Sequence, residues 1–130
     1  MTRGKLALFV AMILIIGISL SSAAEFPAEF RGLWKPSDDL TACTAADLVE
    51  ETSRRIEDKT LLFWEGACSL KTITGLSIPK TFRLTLSCSI LENKPWRSNE
   101  TWNLTKYRTE ELLNVFYEKT GAILSFRRCN

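Results

Sequence analysis

Between residues 82 and 90 the chain alternates without a break. Phe82, Leu84, Leu86, Cys88 and Ile90 fall on one parity, and Arg83, Thr85, Ser87 and Ser89 on the other. An apolar side and a polar side repeating every two residues mark a strand with one wet face. Residues 61–64 and 69–73 are β-rich runs parted by Glu65-Gly66, and Ile78-Pro79 and Asn93-Lys94-Pro95 punctuate the turns that follow. Residues 96–104 place Trp96, Trp102 and Leu104 on one parity. Residues 112–117 and 122–128 flank Lys119-Thr120-Gly121, a hairpin turn in which Gly121 is free to take positive φ. From Arg54 onward, short strands at close spacing predict a mainly β fold, an antiparallel meander forming a small barrel or half-barrel. One segment breaks this pattern. Thr44-Ala45-Ala46-Asp47 resembles a capping box with Asp in place of Glu, and Ala45, Leu48, Val49 and Thr52 follow at helical spacing. A short helix over 45–53 is therefore predicted in the loop after the first strand, with a strand starting near Leu48 as the alternative.

The first 24 residues follow a different rule. Arg3 and Lys5 precede an uncharged apolar run over 6–20, and Ser21, Ser22, Ala23 and Ala24 supply small residues behind it. That order reads as a cleavable export signal. The run is shorter than the ~20 apolar residues needed to span a bilayer. Cleavage leaves residues 25–130 as a single domain. All four cysteines, Cys43, Cys68, Cys88 and Cys129, lie beyond the signal. An even number in a small exported chain predicts two disulfides, which supplement a modest core. Cys43–Cys68 with Cys88–Cys129 is the favoured pairing, because it ties the irregular loop and the C-terminus to the sheet. A hairpin turning near Ser77-Ile78 brings Cys68 roughly opposite Ser87 or Cys88, so Cys68–Cys88 with Cys43–Cys129 stays open. Zinc is disfavoured: there is no C-x-x-C and no His.

Charge changes the picture in one respect. Residues 25–70 hold ten acids against five bases, whereas 71–108 hold seven bases against two acids. Solvated faces that attract each other account for this asymmetry, and a basic patch for an anionic partner is the rival reading. No catalytic residues are assigned. The usual general base is missing without His, the paired acids Asp38/Asp39, Glu50/Glu51 and Glu110/Glu111 suit solvated turns and strand ends, and no nucleophile, phosphate-loop or metal motif is present.

Phe30-Arg31-Gly32-Leu33-Trp34 carries G-x-W at the start of the first predicted strand, and Arg127 and Arg128 lie near the end of the last. This resembles the calycin pattern shared by lipocalins and bacterial protease-inhibitor barrels. The resemblance implies that Gly32 and Trp34 close one end of a barrel, with Arg127 or Arg128 packed across the indole, where a guanidinium gains cation–π attraction. A periplasmic metalloprotease inhibitor of that group is similar in mature size and in its early G-x-W followed by Cys. It has one disulfide and a longer N-terminal arm, and here only residues 25–31 precede Gly32. A resemblance over most of the mature chain is to small periplasmic four-cysteine proteins of Gram-negative bacteria. Their skeleton is matched by Gly32/Trp34, Cys43, Trp64-Glu65-Gly66-Ala67-Cys68, Cys88 and Arg128-Cys129. It implies fold and compartment and carries no activity.

The function expected is that of a periplasmic or secreted, non-catalytic binding module, an inhibitor of a secreted or envelope hydrolase. Lys94, Trp96, Arg97 and Trp102 form its candidate binding surface. The alternatives are a small-ligand carrier of calycin type, for which Phe82, Leu84, Leu86 and Ile90 leave little interior room, and an envelope structural or stress protein. No cofactor is expected. The expected partner is an extracytoplasmic protein rather than nucleic acid, with no stable membrane anchor after cleavage and the chain acting as a monomer.

Overall fold

The computed structural model describes residues 24–43 and 53–129. The export signal read over 1–24 and the helix read over 45–53 lie outside these residues except for Ala24 and Ser53. Among the described residues, one 3-10 turn, Ala28–Phe30, precedes eight strands: β1 (Gly32–Pro36), β2 (Arg54–Ile56), β3 (Thr60–Phe63), β4 (Gly66–Gly75), β5 (Thr81–Ile90), β6 (Trp96–Tyr107), β7 (Glu110–Tyr117) and β8 (Ile123–Arg128). Each pairs antiparallel with the next. β8 returns to β1 through Trp34↔Arg128, Lys35↔Arg127 and Pro36↔Phe126, so the sheet closes into a barrel. Eight strands enclose an interior wide enough for packed side chains or one small ligand.

Alternation sets what goes inside. Leu84, Leu86 and Cys88 on β5, Trp102 and Leu104 on β6, Leu113 and Val115 on β7, and Phe126 on β8 are all buried in one core. β4 keeps its parity through Cys68 and Leu70, then shifts register between Leu70 and Thr72, so that Ile73 rather than Thr72 packs on the core. Such a bulge adds one residue to a strand and bends it. The turns are tight. Trp64-Glu65 and Arg108-Thr109 are two-residue hairpin links, with Glu65 at φ 57° and Arg108 at φ 58°, and Gly121 takes φ 73° in the β7–β8 turn. Positive φ in these positions matches the twist of paired strands.

The N-terminal segment plugs one end of the barrel. Its amide at Phe26 donates to the Asp58 carbonyl at 2.7 Å, and Arg31 donates back to the Phe26 carbonyl. Phe26 stacks on Trp102 at 5.2 Å between ring centroids, and Phe30 meets Phe82 edge-on at 5.5 Å. Burying several large aromatics against one another gives this end its stability.

Two disulfides are present, but the favoured pairing is overturned. Cys68 bonds Cys88, its direct cross-strand partner on the inner face, and Cys43 bonds Cys129. Cys43 cannot reach Cys68 because the chain after β1 folds back over the outside of β1 and β8. Ser37 donates to the Ser125 carbonyl at 2.9 Å, Arg127 donates to the carbonyls of Asp39 and Thr41, and Lys35 reaches the Thr41 hydroxyl at 2.8 Å. Lys35 is thereby buried on the outer wall and pairs with Asp39 at 3.4 Å. The Thr41 hydroxyl and amide, with Lys35 adding its charge, hold the Asp39 carboxyl below the ordinary carboxylate range.

Candidate functional site

The site is built from a closed floor, a cavity and an open mouth. At the floor, Trp34 is fully buried and its indole N–H donates to the Phe30 carbonyl at 2.8 Å. Arg128, opposite Trp34 in the β1–β8 register, lays its guanidinium 4.3 Å from the indole centroid. That guanidinium donates to the Arg31 carbonyl at 2.7 Å, to the Glu29 carbonyl and to the Glu111 carboxylate. Gly32 sits at φ 125°, and a Cβ there would lie 3.1 Å from the Arg128 guanidinium. Positive φ and this close approach both call for glycine. Arg127 has the opposite parity and binds the loop outside, so only Arg128 stacks on Trp34.

Above the packed layer of Leu84 and Leu86, the barrel opens into a cavity of about 430 Å³. Its apolar wall comes from Leu61, Phe63, the Cys68–Cys88 bridge and Ile90, and its mouth from Trp64, Glu65 and Trp96. Arg54, Ser98, Glu100 and Tyr117 make up its polar side. Glu100 is only 4% exposed. Its two carboxylate oxygens accept from the Trp102 indole N–H at 2.9 Å and from the Ser98 hydroxyl at 2.6 Å. The Arg54 guanidinium lies 5.2 Å from the Phe63 centroid and 6.0 Å from the Phe126 centroid, and donates to the Ser53 carbonyl. Burial, then the charge of Glu100, push the Tyr117 phenol above its ordinary pKa, opposed by the neighbouring Arg54. Among the described residues no cluster of acidic or cysteine side chains could hold a metal ion.

Two of the expected roles change here. Trp102 shares the parity of Trp96, yet it is 2% exposed and stacked under the cavity, so it is no part of a surface. Height along β6 makes the difference: Trp96 begins the strand at the mouth and is 40% exposed, whereas Trp102 stands six residues deeper. Lys94 and Arg97 are exposed beside Trp96, as a surface role requires. The interior also has room that sequence reading denied it. Leu84 and Leu86 fill the lower half only, and Leu86 does not line the cavity.

The residues that sequence reasoning missed are Arg54, Ser98, Glu100 and Tyr117. The parity of β6 carries a signal for two of them, because Ser98 and Glu100 share the phase of Trp96, Trp102 and Leu104. Arg54 and Tyr117 join them only through barrel closure. Comparison with protein-family models, with curated proteins and with solved structures finds no match for this chain.

Proposed function

We propose that this chain is an exported, non-catalytic carrier of a small and largely apolar molecule, built on a calycin-type barrel. The observation that carries this reading is the cavity of about 430 Å³, apolar on one side and polar on the other, which opens past Trp64 and Trp96. Small-molecule sites typically run to ~300–1,000 Å³ with a few converging polar groups on an apolar lining. Gly32 and Trp34 under Arg128 support the calycin resemblance. The two disulfides fit an oxidising compartment, and the pattern of residues 1–24 supports export to the periplasm or the medium.

Decanol provides the test. Titrated into the mature protein, it should bind saturably at one site and change the fluorescence of Trp64 and Trp96. Ile90→Trp, which places an indole in the cavity, should weaken that binding by about tenfold or more. No saturable binding to the folded wild-type protein would overturn the carrier reading.

One observation favours a second reading, a module that binds an extracytoplasmic protein such as a secreted hydrolase. Leu91, at 68% exposure, and Trp96 stand beside Lys94 and Arg97 on the rim. Apolar anchors flanked by charge suit a protein contact. Lys94→Ala and Arg97→Ala should each shift stability by less than ~0.5 kcal/mol in denaturant unfolding. On this reading they weaken capture of a partner from periplasmic extract and lower its salt sensitivity. Unchanged capture by both variants would remove the rim from consideration.

A further inference from the structure

We propose that the cavity selects a ligand carrying an amino head group on an apolar body, the amine donating to Glu100. This rests on the carrier reading and deepens it. Among the described residues, the formally charged side chains that line the cavity are Glu65 at the mouth, Glu100 inside, and Arg54. Two carboxyls against one guanidinium give this described lining an acidic balance. A head group of negative charge meets Glu100 in a setting where solvent screens little.

The geometry of the two deep groups sharpens the preference. The Arg54 guanidinium already lies 5.2 Å from the Phe63 ring centroid and 6.0 Å from that of Phe126, donates to the Ser53 carbonyl and neighbours the Tyr117 phenol. It is a poor free anchor for an anion. Glu100 is in the opposite position. Each oxygen accepts one described hydrogen bond, from Trp102 and from Ser98. A carboxylate offers about four lone-pair sites, so acceptor capacity remains on a side chain that lines the cavity. A buried carboxylate gains most from a charged donor, and an ammonium is the smallest. The indole rings of Trp64 and Trp96 at the entrance attract a passing cation by their π faces.

The experiment compares decylamine, decanol and decanoate, one chain with three head groups, titrated into the mature protein at neutral pH. Decylamine should bind about tenfold or more tightly than decanol, with decanoate weakest. Glu100→Gln should bring decylamine to the affinity of decanol. Decyltrimethylammonium keeps the charge and removes every N–H donor, so it should bind wild type less tightly than decylamine. That comparison needs no variant and decides the matter if Glu100→Gln does not fold. Decanol or decanoate binding as tightly as decylamine, or decyltrimethylammonium matching it, overturns the amine proposal and leaves the carrier standing. Binding of none of the four overturns both.

Discussion

Trp34→Ala is expected to destabilise the barrel by about 3–5 kcal/mol, the cost of emptying the space of a fully buried large aromatic. The loss combines the burial given up by the indole with the void left behind. Trp34 is held from below by the Phe30 carbonyl and covered by Arg128, whose own guanidinium is tied to Glu111 and two backbone carbonyls. Removing the indole takes away the π face on which that charge rests and leaves the guanidinium over a cavity. Single domains are stable by only ~5–15 kcal/mol, so the change should be visible as a large drop in the denaturant midpoint. A loss below ~1 kcal/mol would mean that the floor does not depend on this residue.

Removing the Cys43–Cys129 bridge, by Cys43→Ala with Cys129→Ala, should cost about 4–5 kcal/mol on the chain-entropy account. The bridge spans 86 residues, and it anchors the loop that buries Lys35 and occupies Arg127. The Cys68–Cys88 bridge spans 20 residues within one hairpin. Its removal should cost less, about 3 kcal/mol on the same account. Unfolding of the two double variants under identical conditions checks the order. Peptide mapping of the native protein that found Cys43 joined to Cys68 would contradict the arrangement itself.

The longer strands were legible because they carry their own record, whereas the three residues of β2 were too few to be read singly. The unbroken alternation of 82–90 and the phase of Trp96, Trp102 and Leu104 are local properties, and local properties survive in a sequence. Register is different. Whether Cys68 meets Ser87 or Cys88 turns on a single residue, and the bulge between Leu70 and Thr72 alters the count by that much. Nothing local announces it. The fold-back of residues 37–43 was equally hidden, since its contacts are to Lys35 and Arg127, which are far apart in the chain.

The cavity was illegible for a further reason. Volume is a sum over a whole cross-section of the barrel. Leu84 and Leu86 filled the interior on paper, yet at the level above them the wall is a disulfide, a serine and a glutamate set among larger groups. The polar side needs Arg54 from β2, Glu100 from β6 and Tyr117 from β7 in one place. No motif spaces these residues; only closure of β8 onto β1 fixes the circumference that holds them together. Arg128 over Trp34 could be anticipated as one of two neighbours, and the parity of β8 selects between them.

Whether a ligand enters the open half of the barrel is tested most directly by an NMR titration of the isotopically labelled mature protein with decanol. The predicted result is a saturable set of amide shifts at Leu61, Cys68, Cys88, Ile90 and Ser98 around the cavity, with Trp34, Leu113 and Phe30 at the floor unmoved. Shifts confined to the outer faces of the strands, or none at saturating decanol, would contradict it.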